Sequence, residues 1–135
     1  PNNDSVNFNL LNPNLYDLSS IYNALDGNDT VILPDIPRLN SWNFDLNQIF
    51  FGGNGNDVID ASQYIPVGNN QPGYILDGGL GADTFIGSAG IDTVTYQNSS
   101  VGIKVWIDPA DASLNSNTNF NSVTSPVFGD TFNSI

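Results

Sequence analysis

Apolar residues in this chain come in short groups divided by polar and glycine-rich stretches, none approaching the length of a membrane span. Four groups share a form: Thr30-Val31-Ile32, Val58-Ile59-Asp60, Thr84-Phe85-Ile86 and Thr93-Val94-Thr95. Each predicts a short strand whose middle residue (Val31, Ile59, Phe85 or Val94) points inward. Gln48-Ile49-Phe50 and Tyr74-Ile75-Leu76 predict further strands between them. Near the start Val6, Phe8 and Leu10 alternate as a strand, and Asn12-Pro13 opens a helix pattern carrying Leu15, Leu18, Ile21 and Tyr22. Downstream, Val101, Ile103, Val105 and Ile107 share one face of a longer strand, with Lys104 and Trp106 on the other. Residues 110–125, rich in Asn, Ser and Thr, read as a loop.

A strand of three residues cannot bury its inward side chain alone, so such units must stack. What precedes the four triplets is itself a repeat. Gly52-Gly53-Asn54-Gly55-Asn56-Asp57 leads into Val58, and Gly78-Gly79-Leu80-Gly81-Ala82-Asp83 leads into Thr84. Gly87-Ser88-Ala89-Gly90-Ile91-Asp92 and the more degenerate Ala24-Leu25-Asp26-Gly27-Asn28-Asp29 stand before Thr93 and Thr30. All four fit the nonapeptide GGxGxDxUx, where U is a large apolar residue. Leu25 and Ser88 replace its second glycine. Glycines at these places permit a tight turn and leave carbonyls uncovered. The aspartate adds a carboxylate where the turn ends.

Spacing orders the copies in space. Two nonapeptides make one full circuit, so turns on one edge should recur every 18 residues, or more where the opposite turn is enlarged. Gly52 and Gly78 are 26 residues apart, Ala24 and Gly52 are 28 apart. Enlarged loops near 61–73 and 33–45 account for the excess. Turns 24–29, 52–57 and 78–83 are therefore expected on one edge, and turn 87–92 on the other beside the long loops.

Composition narrows the chemistry. Fourteen acidic residues (14) face 2 basic ones, a net charge of −12, without histidine or cysteine. Such a chain repels itself until cations neutralise it, and it lacks the lysines and arginines that nucleic acid or an anionic membrane surface would engage. Without thiolate or imidazole, the available ligands are carboxylates, amides and carbonyls, the donor set of hard cations. Nothing forms a nucleophile–base constellation, so the chain is read as non-enzymatic. Gly53-Asn54-Gly55 lacks the third glycine of a dinucleotide-binding turn, and no segment matches an EF-hand loop. Asp60 and Asp77 flank the glycine pairs, either assisting a cation or standing as solvated strand-end charges.

The segment 51–96, with the strand near 99–108, resembles the hemolysin-type calcium-binding repeats of RTX proteins. The resemblance implies an all-β fold, a right-handed parallel β-roll with enlarged loops on one edge and irregular flanking segments. It implies Ca²⁺ as the cofactor, held by turn carbonyls and the sixth-position aspartates of stacked turns. That set comprises Asp57 and Asp83 with the carbonyls of Gly53, Gly55, Gly79 and Gly81, then Asp29 with Gly27 and Asp92 with Gly90. It also implies a bacterial module secreted by a type I route, folding outside the cell or at its surface when it meets calcium. The expected organisation is a flank or cap at 1–23, a roll at 24–108, and a loop with the start of another repeat at 109–135, as part of a longer polypeptide. Partners would be Ca²⁺ and neighbouring modules, without nucleic acid or membrane insertion. Two other readings stand beside this one: a self-assembling unit of a surface layer, filament or adhesin, and a glycan-binding module using Trp42 and Trp106.

Overall fold

Three of the apolar triplets form strands paired in parallel with one another, and the fourth, at Thr93-Val94, pairs in parallel with Ile75-Leu76. A computed structural model describes residues 2–12, 23–42, 45–97 and 131–133. Its strands are β1 (Ser5–Asn7), β2 (Thr30–Ile32), β3 (Ile49–Asn54), β4 (Val58–Asp60), β5 (Pro72–Leu80), β6 (Thr84–Ile86), β7 (Ile91–Val94) and β8 (Thr131–Asn133). They make two parallel sheets, a five-stranded one in the order β1-β2-β4-β6-β8 and a three-stranded one in the order β3-β5-β7. From β2 to β8 the chain alternates between the sheets, and helix is scarce.

Register places like on like. Val31 pairs with Ile59 and Ile59 with Phe85, making one apolar column in the first sheet. Phe50 pairs with Leu76 in the second. Both columns belong to a single buried cluster, with Phe8, Tyr64 and Tyr74 packed into it. Burying each such side chain contributes about 1.5–3 kcal/mol. Phe8 meets Phe50 edge-on, as Tyr64 meets Tyr74. The Tyr74 hydroxyl donates to the Pro34 carbonyl at 2.8 Å, so its polar end is satisfied inside the core.

Four expectations change. The alternation of Val6, Phe8 and Leu10 is not one strand: β1 stops at Asn7, whose side chain caps a 3-10 turn at Phe8–Leu10, burying Phe8 and leaving Leu10 82% exposed. The loop expected near 33–45 contains a helix, α1 (Ile36–Trp42), begun by the Asp35 carboxylate accepting from Arg38 N–H at 2.8 Å. Its Leu39 reaches the core. β3 and β5 run on into the glycine pairs, so the turns proper are only 55–57 and 81–83. Val94 is half-buried and packs against the cluster from its edge. The strand expected at 101–107, the helix pattern at 13–22, the loop at 110–125, Trp106, and Phe128 to Asp130 lie outside the described residues. Thr131 and Phe132 are described, in register with Thr84 and Phe85. No helix among the described residues is long and apolar enough to cross a membrane.

Candidate functional site

Parallel pairing stacks the glycine-aspartate turns, and hydrogen bonds tie each to the next. Asp29 N–H donates to Asp57 Oδ1 at 2.8 Å, and Asp57 N–H to Asp83 Oδ1 at 2.9 Å. The partners are 28 and 26 residues apart, the enlarged spacing expected for one edge. Beside the three-stranded sheet Tyr74 N–H donates to Asp92 Oδ1 across 18 residues. Turn 87–92 lies beside the long loop there, with Ala89 N–H donating to the Tyr64 carbonyl.

A second ladder runs alongside in the opposite sense. Asn28 Oδ1 accepts from Asn56 N–H at 2.9 Å, and Asn56 Oδ1 accepts from Ala82 N–H at 2.8 Å. Carboxylates thus reach toward the preceding turn and amides toward the following one. Both ladders continue into a rung that the glycine pattern did not reveal. Asp4 N–H donates to Asp29 Oδ1 at 2.7 Å, and Asn28 N–H to Asn3 Oδ1 at 2.9 Å. The available signal was Asn3-Asp4-Ser5-Val6, a match for Asn28-Asp29-Thr30-Val31.

Glycine is required here by close approach. At Gly55 (φ 140°) a side chain would run into the Gly27 carbonyl, and at Gly53 (φ 114°) into that of Leu25. Leu25 takes the left-handed conformation of the glycine it replaces, at φ 76°, with its side chain 67% exposed. The carbonyls of Gly27, Gly53 and Gly55 therefore lie against the glycine Cα one turn further on, at Gly55, Gly79 and Gly81. Gly52 serves otherwise. Asp57 Oδ2 and the Gly78 carbonyl oxygen both lie 2.6 Å from the point where its Cβ would stand. Two oxygens of neighbouring turns thus converge in space a side chain would fill.

The aspartates are not equivalent. Asp29, Asp57 and Asp83 are about 1% exposed, and Oδ2 of both Asp29 and Asp57 is buried without a hydrogen-bond partner. Native interiors rarely leave such an oxygen, because its desolvation goes uncompensated. Burial pushes the Asp57 carboxyl above its usual range, and the Asp29 charge adds to this while the Asp29 N–H opposes it. Asp92 is also raised by burial, but both its oxygens are engaged, Oδ1 by Tyr74 N–H and Oδ2 by Ser88 N–H. The Ser88 hydroxyl lies 3.0 Å from each. Serine at the second glycine position thus adds bonds to Asp92 from within turn 87–92. Gly90 there abuts the Gly73 backbone.

Among the described residues no three acidic side chains converge, so a cation in the stack would draw on carbonyls beside one or two carboxylates. Asp60 holds Ser62 N–H in a turn, and Asp77 is buried, not solvated. No family model matches the chain, and neither the curated proteins nor the solved structures contain a significant match.

Proposed function

We propose that this chain is a calcium-responsive β-roll module, in which Ca²⁺ held between stacked turns couples ion binding to folding outside the cell. One observation carries it: Asp29 and Asp57 each keep a buried carboxylate oxygen without a hydrogen-bond partner, one above the other in the turn stack. A fold that needed these residues only as turn fasteners would use Asn, which supplies the same acceptor without a charge. The oxygen-only donor set suits a hard cation, and the charge of −12 makes the metal-free state self-repelling. Asp29, Asp57 and Asp83 would supply the carboxylates, and Gly27, Gly53, Gly55, Gly78, Gly79 and Gly81 the carbonyls. Asp92, saturated by Tyr74 and Ser88, is left as a structural turn residue.

Bound Ca²⁺ would neutralise the carboxylates and complete their coordination, so that forming the site and closing the stack become one event. Extracellular-type sites bind at about 10⁻⁴–10⁻³ M. At ten times Kd each adds about 1.4 kcal/mol, enough for a few sites together to decide whether the chain folds. The test is far-UV circular dichroism during a Ca²⁺ titration from EDTA, with Mg²⁺ as control and light scattering recorded alongside. A cooperative gain of β signal with Ca²⁺ alone supports the module. Scattering that rises with it favours calcium-dependent assembly, and a spectrum folded and unchanged in EDTA refutes both.

A further inference from the structure

The turn stack leaves one feature unexplained, a buried carboxylate on the outer face of the three-stranded sheet. Along β5, Tyr74 and Leu76 face the core, so Asp77 between Leu76 and Gly78 faces away from it. Strand charges on an outward face are ordinarily solvated, yet Asp77 is only 3% exposed. Its Oδ1 accepts from Gly79 N–H at 3.1 Å. It lies in the floor of an open cleft of about 300 Å³, within the size range of small-molecule sites.

The walls of that cleft are mostly apolar. Phe51 is the direct register partner of Asp77 on β3. Tyr96 lines the opposite flank, brought there by Thr95 N–H bonding the Leu76 carbonyl at 2.8 Å. Leu25 and Leu80, 67% and 55% exposed, stand at the turn end. A second carboxylate, Asp26, is fixed at the rim by Asn54 Nδ2 at 2.6 Å.

We propose that this cleft binds an organic ammonium ion, with the cationic nitrogen directed at Asp77 and its alkyl part against Phe51, Tyr96, Leu25 and Leu80. A carboxylate in a cleft that Phe51 and Tyr96 also line suits a soft, weakly hydrated cation by charge pairing and cation–π attraction together. A bare metal ion suits it less, because these apolar walls cannot replace its hydration shell and only two carboxylates line the site. A neutral sugar gains little from the two negative charges. The cleft borders the proposed calcium positions and shares Gly53 and Gly79 with them, but its two carboxylates, Asp26 and Asp77, are not among the proposed calcium ligands.

The full chain, at saturating Ca²⁺ and again in EDTA with circular dichroism reporting its folded state, is titrated with n-butylammonium and tetramethylammonium by NMR. Neutral n-butanol serves as the isosteric control. Both cations should bind, with n-butanol about tenfold weaker or worse. Asp77→Asn should weaken n-butylammonium about tenfold, and Tyr96→Leu should weaken tetramethylammonium severalfold. The n-butanol comparison and Tyr96→Leu decide the matter even if Asp77→Asn fails to fold. Equal binding of n-butanol, an Asp77→Asn variant with undiminished affinity, or Ca²⁺ displacing the ammonium probe one for one would each overturn the proposal. So would failure of both cations to bind the folded chain.

Discussion

Replacing Asp57 with Asn separates a cation ligand from a turn fastener, because the two roles predict opposite effects in EDTA. The substitution keeps Oδ1, and with it the bond from Asp29 N–H. It removes a buried negative charge close to Asp29, which itself raises the Asp57 pKa. It also offers an N–H₂ group to the region where Oδ2 and the Gly78 carbonyl now converge over Gly52. An unsatisfied buried polar atom costs about 1–3 kcal/mol, so relief should stabilise the metal-free variant by about 1–2 kcal/mol. For a chain of this size that is a rise in Tm of roughly 3–8 °C. In Ca²⁺ the order should close or invert, because a lost site forfeits about 1.4 kcal/mol at ten times Kd. Paired thermal melts of parent and variant, in EDTA with a stabilising osmolyte to populate the metal-free fold and in millimolar Ca²⁺, measure both. If the variant is no more stable than the parent in EDTA and gains the same increment from Ca²⁺, the orphaned oxygen has no cation to serve and the reasoning is wrong.

Three further outcomes follow from the same geometry. Gly55→Ala should destabilise the fold by about 3 kcal/mol or more, since its Cβ meets the Gly27 carbonyl in a rigid stack; urea unfolding checks it. Leu25→Gly should stabilise by about 1 kcal/mol, because it relieves a left-handed leucine whose side chain is mostly exposed; a lower urea midpoint would refute this. Burial raises the folded-state pKa of Asp57 and Asp92 above 3.8, so below those raised values the folded state holds protons that the unfolded state releases. Metal-free stability from these two groups should therefore increase as pH falls from neutral toward 4 and decline as pH rises through their folded pKa values. Calcium titration midpoints should move to higher Ca²⁺ over the same fall, since protons compete with Ca²⁺ for Asp57; metal-free melts and dichroism titrations across that range test both.

Much of the fold was legible because stacking makes the repeat physically necessary. The inward residues Val31, Ile59 and Phe85 are the buried column, and the aspartates six places into each turn are the ones joined from turn to turn. What escaped notice lacked the glycine signature. Asn3-Asp4 forms a rung with no glycine before it, sharing only the asparagine-aspartate pair of turn 24–29. Helix α1 was hidden in a segment read as loop, although Asp35-Ile36-Pro37 carries a capping residue followed by proline in the first turn. The outward cleft was not readable at all. Alternation along β5 says only that Asp77 leaves the core, whereas its neighbour Phe51 is brought alongside by pairing across 26 positions.

The aspartate ladder makes Asp29 and Asp57 each a member of two junctions. Asp57 accepts from Asp29 through its carboxylate and donates to Asp83 through its backbone. Order imposed at one junction is therefore already half established at the next. Such a molecule behaves as a short one-dimensional zipper, in which filling the first gap is the costly step and each later gap closes more easily. Its calcium response should accordingly be steeper than independent sites allow, and shortening the array by one rung should blunt that steepness before it abolishes folding.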